Sequence, residues 1–279
     1  MNIATALTRA TARLAGDSAR LDAEVLLSHC LGKPRSHLFA WPEQALPAET
    51  ERCFETLIER RLAGHPIAHL TGSREFWSLP LAVTPDVLIP RPETELLVET
   101  ALRRLRHPRA RVADLGTGSG AIAIALASER RDWRLIATDR SPKALDIARA
   151  NALHFALTNL EFHLGDWCSA LPLDDFDLIV SNPPYIPARD PHLLQGDLRF
   201  EQRTALVSGP DGLDDIRQIA RCARKHLKPG AWLMLEHGYN QAQAVTELLT
   251  ALNYTAIETL DDLAGQPRLT LGQTMRAEP

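Results

Sequence analysis

Val112-Ala113-Asp114-Leu115-Gly116-Thr117-Gly118-Ser119-Gly120-Ala121 runs from an apolar strand pattern, Arg111–Leu115, straight into an apolar helix pattern, Gly120–Arg130. Glycine allows the tight turn between them and lets backbone come close to a ligand. The helix start adds partial positive charge and free N–H groups. A strand, a glycine-rich loop and a helix in that order open a sheet of the α/β type. Three readings of the loop stay open on its own residues. It fits a nucleoside-type cofactor, Gly116-x-Gly118-x-x-Ala121 fits the relaxed dinucleotide fingerprint, and it fits a plain strand-to-helix turn.

Downstream, strand and helix patterns alternate. Strand Arg134–Thr138 is followed by helix Pro142–Leu157, strand Leu160–Leu164 and strand Phe176–Val180. Helix Leu213–Leu227, strand Trp232–Glu236, helix Gln241–Leu252 and the strands Tyr254–Glu258 and Arg268–Leu271 complete the chain. Strands separated by helices predict a mostly parallel seven-stranded sheet with helices on both faces. The last two strands have no helix between them, so one of them runs antiparallel at the sheet edge. Upstream of the glycine loop, helix Thr94–Arg106 is preceded by a stretch of different character. Residues 66–92 mix Ile67, Phe76, Trp77, Val83 and Ile89 with turn residues such as Thr71-Gly72-Ser73, which predicts a β-hairpin connector. Residues 1–65 read as helical, with Leu21, Val25, Leu26 and Leu27 on one face and Phe54, Leu57, Ile58 and Leu62 on another. The expected organisation is a helical domain over 1–65, the connector over 66–92 and an α/β domain over 93–279.

Two features downstream of the loop carry chemistry. Asp139 ends the second strand about twenty residues after the loop, where a carboxylate accepts both hydroxyls of a ribose. The same residue also fits a cap for the helix beginning at Ser141-Pro142. The fourth strand then delivers Asn182-Pro183-Pro184-Tyr185 at its carboxyl end, the end at which open α/β sheets bind ligands. Two prolines fix two φ angles and remove two N–H donors. What remains is an acceptor surface, the Asn182 side-chain carbonyl and the Pro183 main-chain carbonyl, beside the Tyr185 ring. An amide or exocyclic amino nitrogen is a poor nucleophile because its lone pair is delocalised. Two acceptors holding its two hydrogens orient it and share the positive charge that develops. These residues have no evident part in hydride transfer, so nicotinamide chemistry drops out.

The bulk numbers set the class. With 279 residues, 45% hydrophobic and 24% charged, the composition is that of an ordinary globular protein able to bury its own core. Cys30, Cys53, Cys168 and Cys222 are scattered, without a C-x-x-C pair or a neighbouring histidine cluster. That argues against a disulfide framework and a structural zinc, and fits a reducing cytoplasm. No window approaches the roughly 18 apolar residues of a membrane span, and Met1–Ala15 does not resemble a secretion signal. The formal net charge of -4 gives no basic footprint for stable nucleic-acid binding. The Arg103-Arg104-Arg106-Arg109-Arg111 cluster is the best contrary sign, and it reads more simply as a solvated helix face leading into a strand.

Asp114-x-Gly116-x-Gly118-x-Gly120, Gly165-Asp166-Trp167 and Asn182-Pro183-Pro184-Tyr185 together resemble class I amino-nitrogen methyltransferases. Within them, the chain is most similar to the bacterial glutamine methyltransferases of peptide chain release factors, the PrmC/HemK family. The similarity extends to Leu21-Asp22-Ala23-Glu24 and to Ile89-Pro90-Arg91-Pro92-Glu93-Thr94-Glu95, a connector that favours these enzymes over their ribosomal-protein-directed relatives. The resemblance implies a Rossmann-like methyltransferase domain that uses S-adenosyl-L-methionine, yields S-adenosyl-L-homocysteine and needs no metal. It implies that Gly116, Thr117, Gly118, Ser119, Gly120 and Asp139 hold the cofactor, with Trp167 against the adenine, Asp166 at its amino edge and Asn182 alongside. It further implies that Asn182, Pro183, Pro184 and Tyr185 bind the glutamine of a Gly-Gly-Gln loop, with Asn182, Pro183 and Tyr185 as the catalytic set. Class 1 release factors are then the protein substrate, gripped by the helical domain.

Alternatives remain at several positions. Trp167 by itself fits a core aromatic. Arg91, Glu93 and Glu95 fit either the substrate entrance or an ordinary acidic helix start. Glu236 fits a structural role, and Glu201 lies in a loop able to close over the glutamine. Methylation of an exocyclic amino group of adenine or guanine is the other activity compatible with the tetrapeptide, and a ribosomal-protein glutamine is the other protein substrate.

Overall fold

Periodic apolar residues at the start of the chain fold into helices. The computed structural model describes residues 1–14, 16–172 and 175–275, and all statements below concern these. Helices α1 (Ile3–Arg13), α2 (Ala19–Leu31), α3 (Arg35–Ala40), α4 (Ala48–Leu62) and α5 (Ile67–Thr71) form the first compact unit, which spans Met1–Ser73 and also takes in Leu194–Phe200. The Asn2 side chain caps α1 by accepting from Thr5 N at 2.9 Å, and α2 stops at Gly32, which is left-handed. Ile3, Leu7, Leu26, Leu27, Phe54 and Ile58 pack its core. The Asp22 and Glu24 side chains turn out to be internal pins. Glu24, almost fully buried, is held by Arg20 and Arg35, each at 2.6 Å, and Asp22 by Arg61 at 2.8 Å. Burial raises the Glu24 pKa, but the bonds from Arg35 and Arg20 outweigh it and leave the carboxyl below its usual range. Arg61 also reaches Asp197 at 3.2 Å, and Arg199 donates to Ala63 O at 3.1 Å, which is why Leu194–Phe200 clusters with these helices.

The second unit, Arg74–Leu193 with Glu201–Pro279, holds the sheet. Its chain order is the hairpin β1 (Ser73–Phe76) and β2 (Leu79–Ala82), then α6 (Glu95–Arg104), β3 (Arg111–Leu115), α7 (Ala121–Glu129), β4 (Arg134–Asp139), α8 (Pro142–His154), β5 (Leu160–Leu164) and β6 (Phe176–Ser181). After these come α9 (Arg203–Leu206), α10 (Asp214–Ala223), β7 (Leu227–Glu236), α11 (Ala242–Ala251), β8 (Thr255–Asp261) and β9 (Pro267–Gln273). The seven-stranded sheet has the order β5-β4-β3-β6-β7-β9-β8. All pairings from β5 to β7 are parallel, and antiparallel pairing is confined to the far side, where β9 runs against both β7 and β8.

Alternation along the strands sends side chains to two separate cores. Val112 and Met234 enter one, with residues 121–127 of helix α7, while Ala113, Leu233 and Leu235 enter the other with α10 and α11. Asn151 of α8 ties three elements together. Its amide bonds to Ala82 N (2.8 Å), Ala82 O (3.0 Å) and Ser119 O (2.9 Å), so the hairpin, the helix and the glycine loop share one buried side chain.

The cysteines correct a sequence expectation. Cys168 and Cys222 are joined in a disulfide, 54 residues apart in sequence with Cα atoms 6.0 Å apart. The cause is tertiary. The turn after β5 and the helix α10 pack into the same apolar cluster, a juxtaposition that no local spacing announces. Cys30 and Cys53 are free thiols. Among the described residues, no helix is long and apolar enough to cross a membrane.

Candidate active site

Strands β3 and β6 lie side by side, with Val112 opposite Leu178 and Asp114 opposite Val180. From β3 the chain crosses to β4 on one side, whereas β6 continues to β7 on the other, so the strand order reverses between β3 and β6. The crevice outside the carboxyl ends of such a pair is where open α/β sheets take ligands. The glycine loop leaves β3 there and the Asn-Pro-Pro-Tyr segment leaves β6. Ser181 stitches the two ends by donating its hydroxyl to Leu115 O at 2.6 Å.

The loop is shaped by its glycines and by β4. Gly116 and Gly118 have φ of 74° and 57°, a region costly for L side chains. Both Gly116 N and Thr117 N donate to Thr138 O, at 2.8 and 2.9 Å. At Gly116 a Cβ would stand 2.8 Å from Cζ3 of Trp167, so backbone and indole meet with no room between them. Gly120 has another task, because a Cβ there would meet Ile124 and Ala148 at the packing of α7 on α8. Asp114, fully buried behind the loop, accepts the Thr117 hydroxyl at 2.6 Å, and burial pushes its carboxyl up to about 7. The Asp139 carboxylate accepts Gly118 N at 3.0 Å and Ser141 N at 2.8 Å. Two of its roughly four acceptor positions stay available for a diol. The helix cap itself is Ser141, whose hydroxyl oxygen accepts Ala144 N at 3.2 Å.

These elements enclose a cleft of about 1010 Å³ counting its open mouth. Gly116, Thr117, Gly118 and Ser119 form one wall, Asp139, Asp166 and Trp167 another, and Asn182 and Pro184 face them. Gly120, Pro183 and Tyr185 stand outside that lining. Arg91 and Thr94 from the connector also reach the cleft, together with Gln202 and Thr204.

The polar chemistry concentrates at the tetrapeptide. Asn182 Nδ2 donates to Thr94 Oγ1 at 3.0 Å, while its Oδ1 is buried without a hydrogen-bond partner. An unpaired buried acceptor costs about 1–3 kcal/mol, and this one belongs to a residue on the wall of the cleft. Tyr185 is held at its main chain by Gln241 Nε2, 2.9 Å from Tyr185 O, and its phenol lies 3.5 Å from Glu236 Oε1. Burial raises the Tyr185 pKa above its usual range, and burial pushes the Glu236 carboxyl up to about 7. Glu201, whose side chain is fully buried, pairs with Arg91 and accepts Ile89 N at 3.2 Å. It therefore braces the rim of the cleft from within. Glu95 accepts Trp77 N at 2.8 Å and so anchors the hairpin turn. Thr94 is the cleft residue that the sequence did not single out. It stood inside the quoted connector, but only the fold brings it to Asn182, 88 residues away.

Residues 5–72 match the family described as PrmC N-terminal domain, and residues 92–196 match the Methyltransferase small domain. A release factor glutamine methyltransferase of Pseudomonas aeruginosa is 54% identical over 256 residues, which cover 92% of this chain and 93% of that one. The enzyme of the same name in Shewanella oneidensis is 48% identical over 98% of this chain and 96% of its own.

The chain belongs to the release factor glutamine methyltransferase family.

Among solved structures, a methyltransferase from Pyrococcus furiosus superposes with a TM-score of 0.55 at 18% identity, over 78% of this chain and 98% of that one, a likeness of fold. As a member of the release factor glutamine methyltransferase family, the chain has an α/β methyltransferase sheet and the reaction class of a methyltransferase. Among the described residues, no group of three or more His, Cys, Asp or Glu is placed to hold a metal.

Proposed function

We propose that this chain transfers the methyl group of S-adenosyl-L-methionine to the side-chain amide nitrogen of the glutamine in the Gly-Gly-Gln motif of peptide chain release factors. The observation that carries the reading is Asn182. Its amide N–H is spent on Thr94 and its carbonyl oxygen is left buried and unpartnered on the wall of the cleft, where it suits an amide hydrogen.

The residues present fit the cofactor. At Gly116 a Cβ would run into the Trp167 indole on the cleft wall, so glycine keeps the wall where a flat adenine and ribose can lie against it. Gly116, Thr117, Gly118 and Ser119 hold the amino-acid part, Asp139 the ribose hydroxyls, and Asp166 and Trp167 the adenine, with Asn182 alongside. Gly120 supports them by letting α7 pack closely on α8. Bound there, S-adenosylmethionine supplies a sulfonium-activated methyl group, so the protein's task is alignment. Asn182 Oδ1 and the Pro183 carbonyl hold the two hydrogens of the glutamine amide, which fixes the nitrogen and shares the charge that develops on it. The Tyr185 ring packs beside the amide, and Pro184 keeps the segment rigid. S-adenosyl-L-homocysteine is the leaving product, and the methylated nitrogen, acidic as it forms, gives up one proton to water, so no residue has to serve as a strong base. The helical unit carries recognition of the release factor. A protein of net charge -4 that meets a protein substrate in this way works without stable nucleic-acid binding, in the cytoplasm where release factors act.

The test offers purified protein and methyl-labelled cofactor three acceptors: release factor, its Gly-Gly-Ala variant, and unmethylated nucleic acid. Label is expected on intact release factor alone. Label on nucleic acid and none on release factor would move the activity to nucleobase amino groups.

A further inference from the structure

The turn that carries one wall of the cleft is tied covalently to a helix. After β5 the chain passes Gly165 and Asp166 into the turn Trp167–Ala170, and both Asp166 and Trp167 line the cleft. Trp167 has φ of 45°, a left-handed backbone that an L side chain adopts only where its surroundings hold it there. Within the turn, Ser169 N donates to Asp166 O at 2.9 Å and Leu171 N to Cys168 O at 3.1 Å. From β4 the Thr138 hydroxyl donates to Trp167 O at 3.3 Å, a long bond. Cys168, the next residue, does not line the cleft. It enters the apolar cluster that Ile216, Ile219 and Ala220 of α10 also join, and there it is bridged to Cys222. The tryptophan's neighbour is thus bonded to a helix anchored through its own buried face. Asn182-Pro183-Pro184-Tyr185 lies between the two cysteines, so one covalent loop holds the turn and the tetrapeptide together.

A bridge in a cytoplasmic protein meets a pool of small thiols, and disulfides of that compartment are typically transient or redox-sensing. Cys168 is only 3% exposed, whereas Cys222 is half-buried, so an incoming sulfur reaches Cys222 first. A thiolate attacks Cys222 Sγ, the bond between the two cysteines breaks, and Cys168 leaves with the electron pair and takes a proton. A second thiolate attacks the small-molecule sulfur of the mixed disulfide and releases Cys222 as a thiol. Two small thiols are oxidised to one disulfide and the protein gains two thiols. The reverse reaction, with a small disulfide as oxidant, closes the bridge. Cys30 and Cys53 are free thiols of the helical unit, and burial lifts the Cys30 thiol far above its usual range, which makes it a poor nucleophile.

We propose that Cys168–Cys222 is a site of thiol–disulfide exchange with low-molecular-weight thiols and disulfides, and that its state sets the cofactor affinity of the cleft. Closed, the bridge holds the turn with the Trp167 indole against Gly116. Open, it lets the Trp167 backbone relax from its left-handed conformation and carry the indole off that wall. Affinity then falls by the fraction of time the turn spends outside its cofactor-holding conformation. The inference rests on the methyl-transfer reading, in which Asp166 and Trp167 hold the adenine.

The experiment equilibrates the full-length protein in mixtures of glutathione and glutathione disulfide, and alkylation with peptide mapping gives the bridged fraction at each ratio. Equilibrium dialysis against labelled S-adenosylhomocysteine gives the affinity, and KM for the cofactor and kcat are measured on release factor. Opening the bridge should weaken analogue binding and raise the cofactor KM on the order of 5- to 20-fold, with kcat at saturation within about twofold. Cys222→Ser should bind like reduced wild type at every ratio, and Cys30→Ser/Cys53→Ser should respond as wild type does. The inference is overturned if bridged and reduced wild type bind the analogue within twofold of each other, if no ratio forms the bridge, or if Cys30→Ser/Cys53→Ser loses the response. The wild-type titration needs no variant, so a Cys222→Ser protein that does not fold leaves the decision intact. Protein that binds the analogue in a redox-dependent way yet never labels release factor refutes the substrate reading alone, and equal binding in both states refutes the inference alone.

Discussion

Gly116 and Gly118 offer a controlled test of how the cofactor wall is built. Both have left-handed φ, 74° and 57°, so alanine at either pays about 1–2 kcal/mol of backbone strain. Their surroundings differ. A Cβ at Gly118 meets nothing within 4 Å, whereas at Gly116 it stands 2.8 Å from Cζ3 and 3.3 Å from Cη2 of Trp167. The first distance is about 1 Å short of the optimal carbon contact of ~3.5–4.0 Å. Overpacking of that kind costs about 1–3 kcal/mol. Gly118→Ala should therefore destabilise by about 1–2 kcal/mol, and Gly116→Ala by about 2–5 kcal/mol. Trp167→Leu removes both clashing atoms, so in that background Gly116→Ala should cost only the backbone share. The assay is urea denaturation of the four members of the Gly116/Trp167 cycle, with Gly118→Ala as control. Coupling of roughly 1–3 kcal/mol is expected, and additivity within about 0.5 kcal/mol would refute the contact as the reason for glycine here. Calorimetry with S-adenosylhomocysteine on the same proteins should find Gly116→Ala weaker by at least about tenfold, because the displaced indole is part of the cleft.

Asn182→Ala should lower kcat by about 10²–10³-fold, as loss of one preorganised hydrogen-bonding group does, with little change in analogue affinity. Lost cofactor binding with turnover of bound substrate intact would show the role to be wrong. Asn151→Ala should destabilise by about 2–4 kcal/mol, since Ala82 and Ser119 lose buried partners, and a shift under about 0.5 kcal/mol in urea melts would contradict the clamp. Asp114 titrates near 7, well above the ordinary value of 3.8, so the folded state binds its proton more tightly than the unfolded chain does. Its contribution is fully present below about pH 4 and is lost as pH rises to about 7, on the order of 4 kcal/mol in total. Melts of wild type and Asp114→Asn at pH 5 and 8 should show the wild type losing stability relative to the variant, and the opposite trend would reverse the assignment.

Most of the sheet could be read in the sequence because its strands are short apolar runs punctuated by helices. Arg111–Leu115 and Leu160–Leu164 have the bounds expected of them, since a glycine loop or turn ends each one sharply. Strand β7 begins at Leu227 rather than at Trp232, because Lys228, Pro229 and Gly230 interrupt the apolar pattern without ending the strand. In the helical unit, α1 and α3 were not separated from their flanks, although α1 buries Ile3, Ala6, Leu7 and Ala10 on one face. The tetrapeptide and glycine loop were visible because their chemistry is local: positive φ, missing donors, an acceptor at a strand end. Thr94, Asn151 and the Cys168–Cys222 bridge were not, because each matters only through a partner 32 to 88 residues away.

The unpartnered Asn182 oxygen also bears on how many methyl groups one nitrogen receives. A primary amide brings two hydrogens to the two acceptors of the proposed site. After one transfer the nitrogen keeps a single hydrogen, so one acceptor is stranded again and the product is held less tightly by about 1–3 kcal/mol, a factor of roughly 5 to 150. The singly methylated glutamine is thus both a poor second substrate and a good leaving product. Counting to one is built into the hydrogen inventory of the site, and methylated release factor should compete for it more weakly than the unmethylated protein.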